Sequence, residues 1–447
     1  MSVNPADGTV LGAVFGTDAM RAVMGERAAL ARMLEVEAAL ARVQARLGLI
    51  PAEAAAAITA AADVDRLDMA ALAAATRNMG FPTVGLVKQL GALAGPEAAR
   101  WTHYGATTQD ILDTALVLQL REAIALLGAD LDKLVTALAA LTRAHRATVM
   151  AGRTHAQQAL PITFGYKVAL WLDPVLTMRE RLAQLRPRLL RVQFAGAVGT
   201  LASLGADGPR VAAELAKELD LTLPAAPWHV ARDAIAELGC WCGLLGGALA
   251  KPATDILLLM QSEVGEASEP AAPGKGGSST MPQKRNPIGC EYVAVQARAA
   301  QQLVPQLLGA MVHEHERGAG AMQAEQLALG QVLLLTHGAL ATLLPIAEGL
   351  EVDAARMRRN LDAGGGLIMS EAVMMGLAPH LGRGAAHDIV HHAVETALTE
   401  GVHLRAVLAH DPRVVAVLDE AGLARLTDPA NYLGATDAIV SAVLARL

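Results

Sequence analysis

Three consecutive hydroxyls, Ser278, Ser279 and Thr280, stand just ahead of Lys284, Arg285 and Asn286 in a stretch that cannot be helix. Between Ser268 and Pro287, prolines occupy positions 270, 273, 282 and 287, and glycines occupy 274, 276 and 277. Proline removes backbone donors and glycine frees φ, so residues 268–287 read as a long polar loop. Such loops are uncommon in compact proteins and are usually functional or disordered. Hydroxyls, an ammonium and an amide beside a glycine hinge suggest a phosphate cradle at first sight. That reading fails, because Lys275 is followed by Gly276 where a Gly-Lys-Ser/Thr ending is required. A passive surface linker, in turn, has no use for the run from Met281 to Asn286.

The other candidate clusters carry less. His387 and His391 have the i, i+4 spacing of a helical metal site, but no further ligand lies near them in sequence. The run from His313 to Glu316 lacks the second histidine of a zinc-protease motif at its proper spacing. Cys240, Cys242 and Cys290 are too few and too unevenly spaced for a disulfide framework or a thiolate metal site. No dinucleotide fingerprint is present. The expectation is an enzyme with no cofactor and no metal.

The elements that must position the loop are helical. Ala, Leu, Glu and Arg dominate, and aromatics supply only 3% of residues, which favours helix over strand. The spacing of Leu30, Met33, Leu34, Val36, Ala38 and Leu40 predicts an amphipathic helix over 26–47. Shorter helices follow to about Leu93. Apolar-periodic segments then run over about 109–147, 161–188, 229–265, 288–316 and 323–350, each well above the usual mean of about 11–12 residues. Five such helices in succession predict an elongated bundle, with a bend expected at Pro252. The loop lies between the third and fourth. The expected division is 1–108 as an N-terminal helical domain, 109–358 as the central bundle carrying the loop, and 359–447 as a small helical C-terminal domain.

Composition narrows the partners. Hydrophobic residues make up 53% of 447, and the mean hydropathy of +0.35 is high for a soluble chain. The most apolar stretch, Leu327 to Leu350, is interrupted by Gly330, Gln331, His337, Gly338 and Pro345, so no clean run of about 20 apolar residues is expected to span a membrane. The N-terminus lacks the pattern of a secretory leader, and a cytoplasmic location follows. Burial of helix surface between subunits is the better account of the hydropathy. A net charge of −7 without a basic stripe argues against nucleic acid.

The run from Gly277 to Pro287, Gly-Ser-Ser-Thr-Met-Pro-Gln-Lys-Arg-Asn-Pro, resembles the signature of the fumarase/aspartase superfamily. Two further stretches match in order: Thr102 to Thr114, which contains Gly-Ala-Thr-Thr-Gln-Asp, and Gly152 to Gln157, Gly-Arg-Thr-His-Ala-Gln. The similarity extends over essentially the whole chain. It implies an all-α, three-domain fold and a homotetramer with active sites shared between subunits. It also implies a small polycarboxylate substrate and chemistry beside a carboxylate.

Residue by residue, the resemblance implies Ser278 as the carbon acid/base group, with His155 as the second and Glu291 orienting it. Lys284, Asn286, Thr107 and Thr108 would bind the substrate carboxylate; Arg317, directly after the run from His313 to Glu316, is read from its own position as a candidate substrate-anion contact. The transition state is an aci-carboxylate carrying two negative charges, which aimed donors and a cation stabilise. Serine is a poor base in water and needs an electropositive setting, which Lys284 and Arg285 would create. Thr107 and Thr108 could also cap the helix beginning near Asp110.

Within the superfamily the chain is most similar to the 3-carboxy-cis,cis-muconate cycloisomerases, then to the adenylosuccinate lyases. It departs from the first in carrying His155 and Gln326 where that branch often has tryptophan. It departs from the second in reading Phe81-Pro-Thr-Val-Gly-Leu-Val-Lys-Gln89 where a histidine-rich string belongs. Cycloisomerisation is the expected activity. A fumarate-releasing lyase is the alternative, followed by a non-catalytic protein on the same scaffold.

Overall fold

A computed structural model describes residues 4–272, 274, 276–318 and 320–447. Five long helices dominate: α1 (Thr108–Ala144), α2 (Phe164–Leu189), α3 (Asp233–Leu259), α4 (Ile288–Gly309) and α5 (Ala321–Glu348). All five expected segments are present, and α3 continues through Pro252. Strand is confined, among the described residues, to two small antiparallel pairs and isolated bridges. The larger pair was not expected. β1 (Val149–Thr154) and β2 (Gln157–Thr163) form a hairpin between α1 and α2. The smaller pairs Ala267–Ser268 with Glu351–Val352.

The chain divides into two compact, discontinuous units. One comprises residues 1–132, 177–249 and 292–341, and the other 133–176, 250–291 and 342–447. In the first, the expected amphipathic helix runs from Glu26 to Arg46, and its stripe of Leu30, Met33, Leu34, Val36 and Leu40 is buried. That stripe packs with Ile58, Leu86, Leu90, Ile111, Leu118 and Leu215. Full burial of a side chain of this size contributes about 1.5–3 kcal/mol, so each of these contacts matters to the fold. In the second unit, Val373, Leu377, Ile389, Leu404 and Leu408 form one core. Ala151, Leu361, Ile368 and Met369 form another, which seats the hairpin.

The sequence offered no clean spanning segment, yet two helices among the described residues do reach the length and mean hydropathy of one. They are α3 and α5, at mean hydropathies of 1.4 and 1.7. Their apolarity has a packing use. Leu245, Leu249 and Ile256 of α3, and Val332, Leu333, Leu340 and Ile346 of α5, are all buried against protein. Glu237, Lys251 and Asp255 of α3 hold ion pairs.

Candidate active site

The Ser278 loop belongs to the second unit. Gly277 and Arg285 form an antiparallel bridge, and the Asn286 amide donates to the Gly276 carbonyl at 2.7 Å. Gly276 has φ +65°, and a Cβ there would meet the Asn286 carbonyl at 2.6 Å, so this closure demands glycine. Pro273 and Lys275 lie outside the described residues. Ser278 Oγ accepts from the amides of Met281 at 3.1 Å and, more weakly, Thr280 at 3.4 Å. Backbone donors aimed at a hydroxyl oxygen favour its ionised form, which is what a serine base requires. Ser279 is exposed, as is Lys284, while Asn286 is half-buried.

Arg285 does not serve the serine. Its guanidinium donates to both Glu351 oxygens, at 2.8 and 3.2 Å, and to the Glu269 carbonyl at 2.5 Å. Of the two positive charges expected beside Ser278, that of Arg285 is therefore already paired. Glu269, which sequence reasoning missed, has a buried carboxylate accepting from the amides of Cys290 at 2.7 Å and Gly289 at 3.3 Å. It caps α4 and thereby fixes the turn that carries Glu291.

His155 sits at the tip of the hairpin. Thr154 pairs with Gln157, so His155 and Ala156 form a two-residue turn with φ of 51° and 62°. Positive φ at both positions suits the right-handed twist of a hairpin but is usually met by Gly or Asn. Two residues back, Arg153 is clamped by Glu266 through a two-pronged bridge at 2.8 and 2.6 Å. Glu266 has no exposed surface and also accepts from Asn360 at 2.7 Å. His155 and Glu291 are both exposed, and among the described residues no hydrogen bond joins them within the chain.

The remaining candidates lie in the first unit. Arg317 donates to Thr107 Oγ at 2.9 Å and reaches the Gly196 carbonyl at 3.5 Å. Thr107 therefore does not cap with its side chain. Instead Asp110, in the first turn of α1, reaches back to the Thr107 amide at 3.0 Å. Thr108 opens the helix beside it.

Asp110 is fully buried and also accepts from the amides of Ala195 at 3.0 Å and Gly196 at 2.9 Å, and from His229 Nε2 at 2.8 Å. It was in plain view inside the Thr102–Thr114 string, but nothing in the spacing reveals its partners. One turn on, Asp113 meets Arg232, which also binds Glu325, and all three are buried. Burial pushes the Asp113 carboxyl above its ordinary value, even with Arg232 opposing. His103, held in positive φ, makes a 2.6 Å hydrogen bond with buried Glu37. Burial lowers its pKa, but the hydrogen bond and charge of Glu37 outweigh this and leave it raised.

Among the described residues no three His, Cys, Asp or Glu side chains converge as metal ligands. His387 and His391 stack at 6.0 Å on an exposed helix face.

Residues 14–301 match the family model described as lyase, and residues 366–443 match that of the adenylosuccinate lyase C-terminus. The chain is 47% identical to 3-carboxy-cis,cis-muconate cycloisomerase of Bradyrhizobium diazoefficiens over 98% of each protein. The chain belongs to the fumarase/aspartase superfamily of lyases. Within this superfamily it is also 44% identical to nitrosuccinate lyase of Streptomyces davaonensis, over 97% of this chain and 94% of that protein. Its fold superposes on the 3-carboxy-cis,cis-muconate lactonizing enzyme from Pseudomonas putida with a TM-score of 0.95, at 45% identity over 98% and 99% of the two chains.

Proposed function

We propose that this chain converts 3-carboxy-cis,cis-muconate to 4-carboxymuconolactone, a step in protocatechuate breakdown by the β-ketoadipate route. The observation that carries this reading is the end-to-end match to cycloisomerases at 47% identity. One substrate carboxylate adds through oxygen to a double-bond carbon. The displaced electron pair moves onto the neighbouring carbon and its carboxylate as an aci-carboxylate. Ser278 then gives its proton to that carbon, and the resulting alkoxide is stabilised by the Met281 and Thr280 amides. Lys284, Asn286, Thr107, Thr108 and Arg317 bind the substrate carboxylates, while Glu291 orients His155.

These groups come together in a homotetramer in the cytoplasm, each site drawing on three subunits. The 1–108, 109–358 and 359–447 division describes the protomer of that assembly. Support comes from outward apolar side chains on the long helices, including Leu244, Leu258, Val295 and Leu327. No cofactor takes part.

A second reading has its own observation. An exposed imidazole at position 155 can protonate a leaving group, which lactonisation does not need because its nucleophile is a carboxylate. That suits a fumarate-releasing lyase acting on a substituted succinate. Absorbance assays of the purified protein on carboxymuconate, adenylosuccinate and nitrosuccinate separate the two. Turnover of a succinate with none of carboxymuconate would sink the cycloisomerase reading.

A further inference from the structure

The Ser278 loop leaves and rejoins the fold through two stems, and one carboxylate holds both. Glu351 Oε1 accepts from the Ala271 amide on the outgoing stem at 2.8 Å. The same carboxylate receives both prongs of Arg285 on the returning stem. Glu351 is itself fixed, because its backbone pairs with Ser268 in the short strand pair. Arg285 adds a second tie to the outgoing stem through the Glu269 carbonyl. Between Ala271 and Arg285 the chain makes a polar excursion that carries Ser278 and Lys284. Its reach is set where the stems are tied, since joining two chain points removes conformations from everything between them.

We infer that Glu351 is a positioning residue for the reaction, a latch that sets where Ser278 and Lys284 are presented. It lies 66 positions from Arg285 in sequence, outside the three matched motif stretches. The ion pair is half-exposed, at 44% and 45% of side-chain surface, so it adds little to global stability. Its effect is geometric. A displacement of about 1 Å in a reacting group can cost up to about 100-fold in rate. The Arg285 hydrogen bond also holds the Glu351 carboxyl below its ordinary value, so the latch stays charged under mild acid.

This inference rests on the proposed role of the Ser278 loop, and its test reads the loop separately from the reaction. Hydrogen exchange of peptides covering 276–286 is compared in the parent, Glu351→Ala, Glu351→Gln and Arg285→Met, alongside steady-state kinetics. Glu351→Ala is expected to speed exchange in that stretch alone, lower kcat about tenfold and move KM less than about threefold. Arg285→Met should do the same from the other side. Glu351→Gln keeps an acceptor for Ala271 and should fall between. Unchanged exchange in Glu351→Ala overturns the latch. So does faster exchange throughout the protein, which would mark a general structural role. Exchange needs no substrate, so a parent inactive on carboxymuconate sinks the functional reading and leaves the latch to be judged on exchange.

Discussion

Asp110→Asn tests the architecture beneath Thr107 and Arg317 with almost no change in shape. The buried carboxylate accepts four hydrogen bonds, from three amides and His229. In the variant, the amide oxygen best faces Thr107 and Gly196, leaving the amide nitrogen towards Ala195 and His229. The imidazole can change tautomer and accept, but the Ala195 amide cannot. An orphaned buried donor costs about 1–3 kcal/mol. The other three bonds lose their charge assistance, at about 1 kcal/mol each, so the sum is about 4–6 kcal/mol. Urea unfolding at fixed protomer concentration, with equal slopes for both proteins, measures it. Activity should fall too, since Arg317 reaches both Thr107 and Gly196. A variant within about 0.5 kcal/mol of the parent would refute the hub.

Ser278→Ala should lower kcat by about 10²–10⁴-fold with substrate affinity nearly intact, while Ser279→Ala costs much less. Steady-state kinetics with the roles reversed would shift the serine assignment by one residue. Lys284→Met should lower kcat and raise KM together, because the ammonium meets the carboxylate in ground and transition states. The raised pKa of His103 means its bond to Glu37 contributes stability in full below the ordinary value of 6.5, and that contribution is lost as pH rises through the folded value. Melting curves of His103→Gln should differ most from the parent below that value and converge above it; parallel curves at every pH would count against this. Mixing Ser278→Ala with His155→Asn chains should restore activity if sites are shared, and no recovery after verified subunit exchange would defeat that assembly.

The long helices were legible because their apolar residues recur at helical spacing over many turns, a signal that local detail cannot erase. The hairpin was not. Its strands are six and seven residues, and its turn carries His155 and Ala156 instead of a residue that announces positive φ. The apolar run around Pro161 and Ile162 merged with the helix that follows at Phe164. Candidate chemistry was readable where residue types cluster in sequence, as in the Ser278 loop. The groups that hold it were hidden, because Glu266, Glu351 and Asp110 each work through a partner 66–119 positions away. Arg285 shows the same limit from the other side. Its charge suggested electrostatic help for the serine, and only the folded chain shows it turned to Glu351.

The hairpin tip places two evolutionary demands on one position. A residue other than glycine in the left-handed region costs roughly 1–2 kcal/mol. Both turn residues carry that cost here. A library of turn variants selected only for heat resistance would drift to glycine or asparagine at 155 and 156. The same library selected for turnover would keep the imidazole and accept the lower melting point. Sequences shaped by the two selections would then diverge at a site that ordinary stability engineering treats as a free gain.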